Sequence, residues 1–338
     1  MTRPSRPGPT REMTTTVPGE PLIVFKDVHI GFDDGDVLRG ISFQVSPGET
    51  KILLGVSGSG KTLIMKLAAG LLRPDAGQIW VMGHALADLP EKDLLDFRRH
   101  LGFVFQEGAL FDSMTVAENV SFRLREENVA EEEIDTRVRE VLRFVELEST
   151  FDKFPEDLSG GMRRRVSIAR ALVDRPPIVF YDSPTAGLDP VTSQTIINLI
   201  LRGRDSQGVT SLLATHRVQD AFGLANFRLD EASDKVVRMG TNGSSEDGNK
   251  ATDRMSAPIA SSPRASTQAG AHSGQLSGQA RTEESHEASA EVSQPAHNGA
   301  ALTDVLVLRE GQIYFQGDTD ELAKSSDEYL KKFLSSAE

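Results

Sequence analysis

Gly55-Val56-Ser57-Gly58-Ser59-Gly60-Lys61-Thr62 spaces three glycines along a short run that ends in a lysine and a hydroxyl. The apolar run Lys51 to Leu54 before it reads as a strand, and LIMKLAAGLL after it reads as a helix. In that setting glycine lets the N–H groups of Gly58 to Thr62 turn inward around a β-phosphate, at the positive end of the helix. The Lys61 ammonium reaches the β- and γ-phosphates as a point charge, and the Thr62 hydroxyl ligates Mg²⁺. The spacing implies binding of a nucleoside triphosphate.

Three further stretches carry chemistry-bearing residues. PIVFYDSPTAGLDP, Pro177 to Pro190, is an apolar strand ending in Asp182, an acid placed to hold Mg²⁺ through water. LSGGMRRRVSIARAL opens an amphipathic helix on Ser159, Gly160 and Gly161, which reads either as a second anion cradle or as a plain helix cap. His216 follows the strand-like TSLLAT. The basic run Arg163-Arg164-Arg165 reads as a solvated helix face, and Ile134, Val138, Val141, Leu142 and Val145 as a core-facing stripe.

The elements that must position these residues alternate. Strand-like runs (IVFKDVHI, KILLGV, LGFVF, PIVFY, TSLLAT) are separated by helical segments, the signature of an α/β fold with a largely parallel sheet. A strand, a turn at Glu310-Gly311 and a second strand follow in LTDVLVLREGQIYFQG, and a final helix is expected from about Thr319 to Ser335. Two stretches lack this patterning. Residues 1–20 are rich in Pro, Thr and Arg and read as a disordered tail; about 231–300 is dominated by Ser, Ala, Gly, Gln and Glu and reads as a disordered insert. The insert interrupts one domain, residues 21–338, instead of separating two.

Composition narrows the class. The chain has 338 residues, a formal charge of −13 and no cysteine, which excludes a disulfide scaffold, a thiolate zinc site and a catalytic Cys. The acidic balance argues against a general nucleic-acid binder. No apolar run approaches the ~18 residues of a membrane span, and the basic N-terminus has no apolar core of a signal peptide. A soluble intracellular protein is expected.

Gly55–Thr62, Gln106, Leu158–Gly161, Asp182, Ala186–Asp189 and His216 stand in the order and spacing of an ABC-transporter ATP-binding subunit, which the chain resembles over Leu22–Leu229 and Leu302–Glu338. The resemblance implies a P-loop NTPase core with a mostly parallel sheet, an N-terminal antiparallel β subdomain and a small helical subdomain at about 107–160. It implies ATP and Mg²⁺ as ligands, with Thr62, Gln106 and Asp182 at the metal. Phe32 looks like the aromatic that stacks on adenine, and Gln106 like the lid glutamine that touches Mg²⁺ or the attacking water. His216 looks like the switch histidine at the γ-phosphate. Ser159, Gly160 and Gly161 would bind ATP held by the opposite protomer, and Asp189 would link the two sites of the dimer.

A narrower resemblance is to the ATPases of Mla/Mce-type lipid-transport systems. It rests on FQEGALFDSMTVAENVSFRLRE, on Met162 after LSGG and on DEYLKKFL. The partners implied are a second ATPase subunit, an integral permease whose coupling helix meets Phe111, Met114 and Val116, and a lipid-carrier component, with the chain peripheral on the inner face of the membrane. No nucleic-acid partner is expected. A rival of another class is an ATP-dependent clamp in DNA repair or translation, which usually carries paired domains or basic arms.

One residue departs from the family pattern. Ser183 stands where these ATPases have the glutamate that polarises water, and a serine hydroxyl orients water but does not take its proton at neutral pH. Losing a positioned base slows a reaction by about 10²–10⁴-fold. Hydrolysis is therefore either slow, with Gln106 and His216 placing the water, or residual, in a subunit that binds ATP and acts as a regulatory half. A third reading brings in Glu107 as the base.

Overall fold

The computed structural model describes residues 20–33, 35–230, 233, 235–239 and 303–335. The chain opens with β1 (Ile23–Phe32), β2 (Gly35–Val45), β3 (Thr50–Leu54) and α1 (Lys61–Ala68). Next come β4 (Ala76–Val81), β5 (His84–Ala85), α2 (Glu91–Arg98) and β6 (Leu101–Val104). Helices α3 (Val116–Glu126), α4 (Glu131–Phe144) and α5 (Gly160–Leu172) lead to β7 (Ile178–Asp182). The rest is α6 (Pro190–Gln207), β8 (Thr210–Thr215), α7 (Val218–Asn226), β9 (Phe227–Asp230), β10 (Lys235–Arg238), β11 (Thr303–Arg309), β12 (Gln312–Gly317), α8 (Thr319–Lys324) and α9 (Glu328–Ser335).

The larger sheet has six strands in the order β12-β11-β3-β8-β7-β6. Every neighbouring pair is parallel except β11 with β12, which form the antiparallel hairpin at the edge. Both faces are covered, as the near-continuous apolar runs require. Along β3, Ile52 and Leu54 face the cluster built with α3 to α7, whereas Leu53 faces the cluster shared with α1, α2 and the antiparallel sheet. That second sheet, β2-β1-β4-β5, carries Phe25 stacked on Phe43 at 4.7 Å. The P-loop NTPase core and its antiparallel subdomain are thus as the resemblance implied.

Because β3, β8 and β7 are adjacent and parallel, their carboxyl ends open onto one edge, where α/β sheets place ligands. Gly55 follows β3, Asp182 ends β7 and His216 follows β8. The Glu310-Gly311 turn has φ of 51° and 77°, and a Cβ on Gly311 would sit 2.3 Å from the Val37 carbonyl. Glycine is needed there because Gly311 accepts a 2.8 Å hydrogen bond from Arg39 N–H, which ties the two sheets together.

Two expectations about the C-terminal half need correction. The final helix is two helices, broken at Ser325–Asp327, because the Asp327 carboxylate caps α9 by accepting from Leu330 N–H at 2.9 Å. The insert does not begin at 231: Lys235–Arg238 pairs antiparallel with β9, and Val236 packs on the core. Polar composition averaged over a long stretch hid these four residues. Residues 240–300 of the expected insert and the expected tail up to residue 19 lie outside the described residues.

Candidate functional site

A cleft of about 610 Å³ opens at the carboxyl edge of the large sheet, lined by Phe32, Ser57, Gly58, Lys61 and Thr62 on one side and Gln106, Asp182, Ser183 and His216 on the other. Helix α1 starts on Gly60 at φ 97°, with no side chain capping its first N–H groups. These uncapped donors border the cleft and suit an anion. Glycine suits position 60 because its φ of 97° strains any L side chain, and a Cβ would also meet Leu38 Cδ2 at 2.5 Å.

Lys61 is buried under the loop. Its ammonium donates to the Gly55 and Val56 carbonyls, both at 2.8 Å, and to Ser59 Oγ at 3.3 Å. Burial pulls its pKa below the usual lysine value, while Asp182 opposes that shift. Gly55, Val56 and Ser59 therefore shape the loop and hold Lys61; Ser57, Gly58, Gly60, Lys61 and Thr62 face the cleft. Thr62 Oγ1 donates to Asp182 Oδ2 at 2.9 Å, so the two expected metal ligands meet across the cleft. With Gln106 they form an oxygen-only set suited to a hard cation such as Mg²⁺.

Ser183 is buried, with φ 47°, and its Oγ lies 3.4 Å from Asp182 Oδ1. Its N–H donates to the Ala214 carbonyl at 2.8 Å, which fixes the end of β7 against β8. His216 is exposed into the same cleft. Thr215, the residue before it, is held by a group that the sequence did not flag. The Asp220 carboxylate, 2% exposed, accepts from Thr185 Oγ1 at 2.6 Å and from Thr215 Oγ1 at 2.7 Å. Burial pushes the Asp220 pKa up, against the pull of those two hydroxyls. Arg217 donates to the Thr185 carbonyl at 3.1 Å and to Ser193 Oγ at 2.9 Å. The only sequence hint was an acid four residues after His216.

The lid loop between β6 and α3 is pinned along its length. Arg164 donates to the Phe105 carbonyl at 3.0 Å, and Arg170 to those of Gly108 and Ala109 at 3.0 and 2.8 Å. Buried Asn119 donates to the carbonyls of Phe111, Met114 and Thr115, each at 3.0 Å, and accepts from Phe111 N–H at 2.8 Å. The basic run is therefore not a solvated face. Arg164 is buried, Arg165 reaches the Val145 carbonyl at 3.1 Å, and exposed Arg163 reaches that of Leu158 at 2.5 Å. A one-dimensional charge run does not show the irregular loops whose carbonyls need donors. Val116 is also corrected: it is fully buried in the core, while Phe111 is exposed.

The structure does not bring Ser159, Gly160, Gly161 or Asp189 into the cleft. Gly160 lines a second concavity with Glu107, Arg164 and Gly187, which shares Gln106 with the cleft; Glu107 is not among the cleft walls. Ser159 caps α5, its Oγ accepting from Met162 N–H at 3.2 Å. A Cβ on Gly161 would meet Thr192 Cγ2 at 2.3 Å, so α5 and α6 touch there. Asp189 caps α6, accepting from Val191 and Thr192 N–H at 3.0 Å and from Thr192 Oγ1 at 2.5 Å, and these bonds hold its pKa below the usual carboxylate value. Phe32, 56% exposed, stands at the cleft mouth.

Comparison with known proteins agrees with this geometry. The ABC transporter family model matches residues 38–186. Among curated relatives, a methionine import ATP-binding protein of Corynebacterium jeikeium is 34% identical over 239 residues, covering 70% of this chain and 64% of its own length. The chloroplastic protein TRIGALACTOSYLDIACYLGLYCEROL 3 of Arabidopsis thaliana is 38% identical over 209 residues, 58% of this chain and 60% of its own. The chain thus spans less than two thirds of these relatives. A dimeric ATP-binding cassette in a post-hydrolysis state with ADP and Pi superposes at a TM-score of 0.60 with 23% identity, over 88% of this chain and 98% of its own. A component of the ABC transporter complex cbiONQ from Clostridium perfringens gives 0.63 at 23%, over 92% and 94%.

Proposed function

We infer that the chain is an ABC transporter ATP-binding subunit that binds Mg-ATP in the cleft, closes on a second copy and energises a membrane permease. The carrying observation is the meeting of Lys61, Thr62, Asp182, Gln106 and His216 in one cleft. Lys61 holds the β- and γ-phosphates, the uncapped N–H groups of α1 surround the β-phosphate, and Phe32 stacks on the base. Thr62, Asp182 and Gln106 would hold Mg²⁺, which when bound neutralises phosphate charge. Gln106 and His216 place the attacking water, and Ser183 orients it without taking its proton, so turnover is slow. Ser159, Gly160, Gly161 and Asp189, which do not line the cleft, serve the opposite protomer's nucleotide.

For the cargo we propose a lipid class. Support comes from the lid stretch Phe105–Glu126 and from a relative, 38% identical, that bears the name of a galactolipid. The second reading is import of a small amino acid, favoured by the methionine import relatives at 34% and 35% identity. Captured from the membranes of its own cells, the full chain is expected to co-purify with an integral permease. Lipid in the captured complex supports the first reading, and methionine-stimulated turnover supports the second. Recovery with DNA or ribosomes and no membrane protein would overturn both. Among the described residues no helix is long and apolar enough to cross a membrane.

A further inference from the structure

The lid glutamine and the strand-end serine come from segments far apart in sequence, yet one side chain touches both backbones. Arg164 lies in α5, buried, and its Nη1 donates to the Phe105 carbonyl at 3.0 Å and lies 3.4 Å from the Ser183 carbonyl. Phe105 immediately precedes Gln106, so the first bond fixes the peptide that launches the glutamine. Ser183 immediately follows Asp182, so the second contact fixes the peptide that carries the serine.

Neither carbonyl depends on Arg164 alone. Phe105 also accepts from Gly108 N–H at 3.0 Å and Ser183 from Ala186 N–H at 3.1 Å, bonds that close the two local turns. What Arg164 adds is the link between the turns. A planar guanidinium with donors in fixed directions suits that task, whereas an ammonium offers one point. Its charge is kept in a buried place by Glu107 and Asp182, which oppose the effect of burial. A buried cation with long-range backbone partners is costly to place on a helix, so its position calls for a role.

We propose that Arg164 is the positioning residue for hydrolysis: it clamps the lid loop to the end of β7, so that Gln106 and Ser183 meet the attacking water in one fixed geometry. The inference rests on the cleft binding and hydrolysing ATP. It matters more in this chain than a general base would make it, because with serine at 183 the rate depends on placement of the water. A shift of about 1 Å in such a group lowers a rate by as much as 10²-fold.

The test is a double-mutant cycle in the full chain, with Arg164→Met, Arg164→Lys and Gln106→Ala, read by turnover, Mg-ATP affinity and melting temperature. It is run in the wild-type and Ser183→Glu backgrounds. Arg164→Met is expected to lower kcat at least tenfold with Kd for Mg-ATP within twofold, and Arg164→Lys to restore part of the loss. In the Gln106→Ala background, Arg164→Met should lower kcat by clearly less than in the wild type, because one of the two groups it positions is gone. Equal losses with and without Gln106, or a loss of kcat matched by weaker binding and a lower melting temperature in both Arg164 variants, would overturn the proposal alone. ATP binding with turnover in neither background would overturn it together with hydrolysis. Absence of ATP binding by the wild type would overturn the nucleotide reading itself.

Discussion

Replacing Ser183 with glutamate gives the largest expected change in activity. The backbone at 183 already lies at φ 47°, so serine and glutamate bear a similar steric strain and the main chain need not move. The residue lines the cleft with Lys61, Asp182 and His216, and the glutamate carboxylate oxygens would lie two bonds beyond the position of the serine Oγ, towards the space for water. A positioned base is worth about 10²–10⁴-fold, or about 2.7–5.4 kcal/mol of barrier. Against this stands repulsion from Asp182: about 3 kcal/mol at about 5 Å and an effective dielectric of about 20. Lys61, of opposite sign and on the same cleft, offsets most of that repulsion. The net expectation for Ser183→Glu is a rise in kcat of at least about 10², with Mg-ATP affinity nearly unchanged. Phosphate release at saturating Mg-ATP reads it, with Ser183→Ala as the control, expected below wild type because the hydroxyl that orients the water is gone. A gain below about threefold would refute the reasoning, as would a Ser183→Ala variant with no activity.

Phe32→Ala should weaken ATP and ADP equally, by about 1–3 kcal/mol if base stacking matches that on nucleic-acid platforms, without a change in kcat; titration with both nucleotides checks it. Gly161→Ala should destabilise the fold by about 1–3 kcal/mol through the clash with Thr192 Cγ2. Adding Thr192→Ser, which deletes that methyl and keeps the hydroxyl bond to Asp189, should recover most of the melting temperature. Asp189 titrates below its unfolded value because Thr192 and the α6 N–H groups favour its charged form. Its stabilising contribution is therefore present above the ordinary Asp pKa and lost as pH falls through the lower folded value. The melting-temperature gap between wild type and Asp189→Asn should shrink over that acidic range, and a constant gap would contradict the assignment.

How much of this was legible in the sequence depended on whether a residue acts locally. The loop Gly55–Thr62 announced itself because glycine, lysine and threonine at fixed offsets act through their own backbone and side chains. Asp182 and His216 were legible as ends of apolar runs, and the Glu310-Gly311 turn through its glycine. Arg164, Asn119 and Asp220 were not, since their work is to satisfy carbonyls and hydroxyls contributed by distant segments. Pattern reading also favours long elements: it missed Lys235–Arg238, whose pairing partner β9 is only four residues long, and it fused α8 and α9 across a capping aspartate. Val116 was misjudged for a related reason, because exposure of one residue in a loop-to-helix junction says little about its neighbour two or more positions on.

The central claim is that the cleft around Lys61 takes a nucleoside triphosphate, and direct titration of the full chain with Mg-ATP, wild type against Lys61→Ala, tests it. Lys61 donates three bonds within the loop, and a charge-assisted contact to phosphate is worth about 1.5–3 kcal/mol. The wild type should bind with a 1:1 stoichiometry, and Lys61→Ala should bind about 10–100-fold more weakly. Equal affinity in the two proteins, or no binding by the wild type, would contradict the account.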